Sequence, residues 1–451
     1  MSLPKLWSRM EIQVEKVTDV SYEGIRCMEY FSKLFLQRSG DAHLDLVLAF
    51  PSRNTEKGYY GNGYVKMNAS MLKPIIGVFY SQSQRWQHFS LSAYDSFFHP
   101  NPLLPWVESL PSIMSMKFDA IDNTYDPWNG YRPLPIFKRL SAPSLRTLTL
   151  GGLASGWLVD APRDIPASPF ECLQSLVISP DCLPGTALLR LASVSTSVTL
   201  ENFNDCEYPD STITCLAGAL CVNPFFTEGT GFQLEEILRS ISLPNVTRFS
   251  FGAGVSTASR YKWDPVQLVR FPTDQFLSLL HRCSADQITH LTINHYSFGN
   301  PDIAVMILPR LPSLTHLEVD ESPKDWECHP FQQRPFKPTL TSSFFEALVI
   351  HTPISDHTLV PQLREASFSS QPFLNMTQNI GEVVANMLET RWRGGQSGLT
   401  RAKFSGFRSL LDMDEGSAGS IIKRLREEGM SLELGSFLDL GRSLVTLVQA
   451  M

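Results

Sequence analysis

One spacing returns along this chain: an apolar residue, two of any kind, a second apolar residue, one of any kind, and a third. It appears as Leu145, Leu148 and Leu150, as Leu173, Leu176 and Ile178, and as Val246, Phe249 and Phe251. It returns as Ile288, Leu291 and Ile293 and as Leu314, Leu317 and Val319. Weaker copies stand at Trp86, Phe89, Leu91; Ile113, Met116, Phe118; Leu363, Ala366, Phe368; and Leu399, Ala402, Phe404. Apolar residues two apart mark a short strand with one buried face. A strand of that length cannot cover its own apolar side, and an isolated pair is marginal. The copies must bury one another.

This is the core phrase of a leucine-rich repeat. Parallel strands stacked ~4.8 Å apart satisfy each other's backbone groups and fuse their apolar faces into one core. The expected fold is therefore α/β: an irregular leucine-rich-repeat solenoid, a curved parallel sheet with helices and loops on its convex side. Helical spacing is present at 23–38, 274–282 (with Thr273 as N-cap), 380–392 and 420–428. Other connectors, at 125–135, 162–169 and 323–338, hold too many prolines for regular structure. The Asn or Cys that such repeats carry eight residues after the first leucine is replaced by Leu153, Gly254, Tyr296 and Ser322, so the repeats are degenerate.

Composition narrows the class. Hydrophobic residues at 43% support a substantial core, and a net charge of −7 argues against a nucleic-acid partner. No apolar run approaches the ~18 residues of a membrane span; the longest, such as Pro74 to Tyr80, are strand-sized. The N-terminus meets charge too early for a secretory signal, and eight cysteines lack any CxxC pair. Most, such as Cys27, Cys172, Cys215 and Cys283, fall in or beside apolar segments and read as reduced, buried thiols in a cytoplasmic or nuclear protein, and the sequons at Asn68, Asn245 and Asn375 as chance matches.

Motifs of chemistry are sparse. GxSxG, HExxH and P-loop patterns are absent, Gly61-Asn62-Gly63 and Gly252-Ala253-Gly254 lack a third glycine, and Cys328-His329 has no second ligand pair nearby. No catalytic residue, cofactor or metal is expected. In a stacked sheet, the residues alternating with the buried ones line the concave face. His290, Thr292 and Asn294 then stand beside His316, Glu318 and Asp320, with the two histidines in contact. Arg401, Lys403 and Ser405 offer a basic end to the strip. The strip reads as a partner-binding patch or as an ordinary hydrated face; an acid/base or metal site is the remotest reading. Trp157 and the 128–133 stretch are candidate loop anchors.

The opening LPKLWSRMEI, Leu3 to Ile12, resembles the segment that follows the F-box in fungal F-box proteins with leucine-rich repeats. The helix running into LQRSGDAHLDLVL, Leu36 to Leu48, is similar to the stretch before that family's second strand. APSLRTLTLGG and LPSLTHLEVD look like its rungs, and IIKRLREEGMSLEL, Ile421 to Leu434, like its last helix and closing strand. The F-box itself, with its VC-x-x-W ending, does not stand in this chain. The resemblance implies an N-terminal cap of strand, helix and strand at 1–50, the solenoid at 51–410, and a C-terminal helix and strand at 411–451. It also implies a non-enzymatic, monomeric substrate receptor whose partner is a protein, with a Skp-type adaptor only if an F-box lies upstream. The alternatives are a repeat scaffold unrelated to ubiquitin transfer and, more remotely, a hydrolase on a mixed sheet.

Overall fold

A tight turn opens the repeated phrase. In the computed structural model the amide of its first apolar residue closes the turn onto the carbonyl three residues back: Ile113 to Leu110, Leu145 to Ala142, Val246 to Leu243, Ile288 to Ala285, Leu314 to Leu311 and Leu363 to Val360, at 3.1–3.3 Å. Five of these six turns carry proline at their second position: Pro111, Pro143, Pro244, Pro312 and Pro361. Proline fixes φ near the value that position requires. The turn buries its first apolar residue and releases the chain as a strand.

The structure describes residues 4–13, 22–49, 69–94, 109–121, 141–152, 172–179, 195–201, 212–223, 231–252, 269–294, 296–297, 306–321, 339–350, 359–370, 380–394, 398–407 and 417–435. The chain divides into two units, Met1–Pro209 and Asp210–Met451. The first holds strands β1 (Arg9–Gln13), β2 (Leu44–Ala49), β3 (Trp86–Tyr94), β4 (Ser115–Ile121), β5 (Thr147–Gly152), β6 (Ser175–Ser179) and β7 (Ser197–Glu201). The second holds β8 (Ala219–Asn223), β9 (Arg248–Gly252), β10 (His290–Asn294), β11 (His316–Asp320), β12 (Glu365–Ser369), β13 (Arg401–Ser405) and β14 (Ser431–Gly435).

Within each unit every strand pairs parallel with the next in chain order, and neither run closes on itself. The fold is a mixed α/β arrangement on parallel sheet, as expected. Two short parallel ladders, Ile213–Thr214 with Ile241–Ser242 and Val269–Arg270 with Tyr296–Ser297, add to the second unit.

Helices α1 (Tyr22–Ser39) and α2 (Ala69–Tyr80) pack together in the first unit. In the second, α3 (Gly231–Ser240) packs on α4 (Thr273–Arg282), α5 (Ser342–Ala347) on α6 (Ile380–Gly394), and α6 on α7 (Ser417–Glu427). The short apolar run Pro74–Tyr80 lies inside α2. Two expectations are corrected here. Cys27, on the outer side of α1, and Cys172, just before the buried Leu173, are exposed rather than buried. Thr273 is the first residue of α4 rather than its cap; its hydroxyl turns back to the Phe271 carbonyl at 3.4 Å, and Pro272 takes the cap position without a side-chain bond.

The inward residues of the strands form the core with aromatic fill. Trp86 stacks on Phe89, which meets Phe118 edge-on. In the second unit Phe344 and Phe345 of α5 sit edge-on to Phe368, and Phe345 also meets Phe404 and Phe407. Each such ring contributes about 1.5–3 kcal/mol on burial. At the end of β13, Gly406 has φ +79° and a Cβ there would lie 2.0 Å from the Ser370 carbonyl, so only glycine fits.

Two buried ionisable side chains tie long connectors to the sheet. Arg391 of α6 donates to the carbonyls of Leu348, Val360 and Leu359 at 2.6, 2.8 and 2.5 Å. Those bonds brace Val360, whose φ of +42° is strained for a β-branched residue. Glu321, following β11, is fully buried and accepts from the amides of Thr339 and Leu340 at 2.8 and 3.3 Å.

Arg391→Met strands these carbonyls and is expected to lower stability by about 2–4 kcal/mol, with relief of the guanidinium's desolvation set against their loss. A lowered urea midpoint checks it, and Arg391→Lys, with one reach instead of a fork, should recover only part. Burial outweighs the amide bonds and raises the Glu321 carboxyl from 4.5 to about 7. Its stabilising effect is therefore complete below about 4.5 and lost as pH rises through about 7. The uncharged variant Glu321→Gln should gain on the wild type between pH 5 and 8, read as the difference in melting temperature across that range.

Candidate functional site

Strand alternation separates core from face with little mixing. On β10 and β11 the residues Leu291, Ile293, Leu317 and Val319 are buried, while His290, Thr292, Asn294, His316, Glu318 and Asp320 turn to the opposite side. The register sets them in rows across neighbouring strands. One row runs Ala219, Arg248, His290, His316, Glu365, Arg401, Ser431; the next runs Cys221, Ser250, Thr292, Glu318, Ser367, Lys403, Glu433. The third carries Gly252, Asn294, Asp320, Ser369, Ser405 and Gly435. Gly252 leaves room for Asn223, whose Oδ1 would lie 2.5 Å from a Cβ there.

A threonine stands just before four of these strands. Thr247, Thr289 and Thr315 donate their amides to the carbonyls of Gly218, Thr247 and Thr289 at 2.8, 2.8 and 2.9 Å. Their hydroxyls donate to the same carbonyls at 3.1, 3.1 and 3.0 Å. Thr400 repeats the pattern on Arg364, at 3.2 Å for the hydroxyl. This threonine ladder runs along the rim of the face.

The ladder decides how the histidines are held. Thr289 Oγ1 lies 2.8 Å from His290 Nδ1, and Thr315 Oγ1 lies 2.7 Å from His316 Nδ1. Each hydroxyl has one proton, already directed at a carbonyl, so it accepts from the ring. Nδ1 therefore carries hydrogen in both rings, and Nε2 of His290 is left for an external partner, whereas Nε2 of His316 faces Glu365. The rings stack at a centroid separation of 3.9 Å with planes 9° apart. His316 Nε2 lies 3.2 Å from Glu365 Oε1 on the next strand. Burial, then His316 and Arg248, hold the His290 imidazole below its usual value, against a smaller opposite pull from Glu365. Burial and then Asp320 hold the Glu318 carboxyl above its usual range, against a 3.5 Å bond from Thr292 and the charge of Lys403.

The structure thus brings together His290, Thr292, Asn294, His316, Glu318 and Asp320. Arg401 and Lys403 lie two strands further on, beyond β12, and both face Glu433, at 3.0 and 3.8 Å. The basic end of the strip is answered by a carboxylate of the final strand. Arg248, Glu365 and Glu433 were not singled out in the sequence. The signal was there for the first two, since they occupy alternating positions of the Val246 and Leu363 copies of the phrase. Trp157, residues 128–133, Cys328-His329, Gly61 to Gly63 and Gly254 lie outside the described residues.

Chemically, the face offers hydrogen-bond donors and acceptors of both charges on a rigid sheet. Among the described residues no group of three or more His, Cys, Asp or Glu side chains is placed to hold a metal ion. No family model matches the chain, and no curated protein matches it.

The Nδ1–H tautomer is checked directly. Imidazole nitrogen shifts at pH 7.5 should report hydrogen on Nδ1 of His290. Thr289→Val, which removes the acceptor, should move it to Nε2.

Proposed function

We propose that this chain is a non-enzymatic protein-recognition scaffold built as an irregular leucine-rich-repeat solenoid, and that its polar sheet face in the second unit takes the partner. The observation that carries the reading is the in-register face itself. Seven successive strands place their alternating side chains in two rows and six of them in a third, and the ionisable residues gather on β9 to β14. The matching rows of the first unit carry Arg9, Glu11, Asp45, His88, Lys117 and Asp119 on β1 to β4, and then Ser, Thr, Val and Gly on β5 to β7 up to Thr199. A regular array of fixed donors and acceptors on rigid strands suits recognition of another surface, because little side-chain freedom is lost on docking.

The order of motifs from LPKLW to EEGMSLEL supports the further reading that the scaffold is the substrate-binding region of an F-box-type ubiquitin-ligase receptor. The partner is then a protein substrate in the cytoplasm or nucleus. Attachment to a Skp-type adaptor would come from an F-box encoded upstream. Co-purification with that adaptor, using the chain with and without the preceding genomic sequence, separates this reading from a scaffold unrelated to ubiquitin transfer.

The face is tested by replacing His290, His316, Glu318 and Asp320 with alanine together. Proteins captured by the wild-type chain should be lost at least tenfold, a deficit of about 1.4 kcal/mol, while the melting temperature stays unchanged. Equal capture by the folded variant overturns the assignment of the face.

A further inference from the structure

The first row of the face changes sign along its length. Arg248 on β9 stands in register with His290 on β10, which stands in register with His316 on β11. Glu365, the carboxylate in that row, is engaged with His316 and lies two strands from His290, roughly 9–10 Å away at sheet spacing. Arg401, beyond it, is turned to Glu433. The beginning of the row is therefore a guanidinium beside an imidazole, His290, whose Nε2 is left open because Thr289 holds Nδ1, while the next imidazole, His316, already meets Glu365.

Resting on the reading of this face as the partner-binding surface, we infer that the Arg248–His290–His316 row seats an acidic segment of the protein partner, with carboxylate side chains bridging Arg248 and His290. Charge complementarity carries the choice of occupant. A carboxylate brought to Arg248 meets a fixed cation, and the adjacent ring supplies a second charge-assisted bond once it takes a proton on Nε2. In the empty face that proton is disfavoured by what surrounds His290. Arg248 faces it from β9 and His316 from β11; Glu365 on β12 and Glu318 on β11 are the carboxylates on the far side. An arriving anion screens Arg248 and His316 and supplies the missing acceptor. Docking and proton uptake are therefore linked, and each favours the other. Acidification strengthens docking on this side of the face.

The probe is a fluorescein-labelled hexa-aspartate peptide, which stays ionised at pH 5.5, titrated with the full chain at low salt alongside hexa-lysine and hexa-serine. Hexa-aspartate should bind and the others should not. Its affinity should be roughly five- to tenfold higher at pH 5.5 than at pH 7.5, as uptake of up to one proton allows. Arg248→Gln should abolish binding at both pH values, and His290→Gln should remove the pH dependence while leaving weak binding; both variants should melt like the wild type. Absence of hexa-aspartate binding, or pH dependence that survives His290→Gln, overturns the inference. Binding of hexa-lysine in its place also overturns it, and points instead to Glu318 and Asp320. Failure of the peptide, with partner capture still lost in the four-alanine variant, leaves the recognition surface standing and removes only the acidic segment.

Discussion

The structure depends on how each strand is started. A turn, proline-bearing before Thr247, Thr315 and Arg364, buries one apolar side chain, and the following amide bonds a carbonyl of the preceding strand's rim at 2.8–3.0 Å, from Gly218 through Thr247, Thr289, Thr315, Arg364 and Thr400 to Ser431. Side chains alternate with a period of two, so a slip of one residue in any strand would turn its apolar residues outward and its polar residues into the core. The start point therefore fixes both the core and the face. In the second unit Thr247, Thr289, Thr315 and Thr400 double the bond with a hydroxyl, and the histidines follow Thr289 and Thr315. The same atoms that set register also set the ring orientation of His290 and His316.

That coupling fixes the donors and acceptors that the face presents. An exposed histidine on a loop samples rotamers and tautomers; here both are decided by backbone. Stacking holds the rings parallel and draws His290 partly out of solvent, which favours its neutral form, while Glu365 gives His316 an outward partner. The strip is neither uniformly acidic nor uniformly basic. Its cations at Arg401 and Lys403 are already answered by Glu433, whereas Arg248 begins the row at which a charged partner group would have most to gain. Complementary potentials of this kind set register and encounter rate more than raw affinity.

Much of this was legible in the amino-acid order, and the reasons for the rest are physical. The strong copies of the phrase located their strands, and the pairing of His290 with His316 followed from counting. The strands at 197–201 and 219–223 were not visible. Their phrases open on Ser195 and Ala217, both buried, where a large apolar residue was the search signal. Ser195 holds its buried place by a 2.8 Å bond to the Ser197 carbonyl, and Ala217 is small and apolar enough to be fully buried. Prolines were read as breakers of regular structure, which is true of their average behaviour. Pro111, Pro143, Pro244, Pro312 and Pro361 instead stand at the second position of turns and launch strands. Position within a turn, rather than count, carried the information.

Arg391 and Glu321 show how such a chain tolerates long and unequal connectors. Turn and ladder define only the strand and a few residues before it; the return path is free to vary if its ends are held. Arg391 gathers three carbonyls from both sides of residues 351–358, and Glu321 gathers two amides at the far end of residues 322–338. Each closes its connector with a buried ionisable group lacking an opposite charge among its hydrogen-bond partners, which lowers the Arg391 guanidinium to about 10 and raises the Glu321 carboxyl to about 7. The clasps fix the ends of the insertions without engaging the face. Register, and with it the geometry of the polar face, is thereby insulated from the length of what lies between the strands.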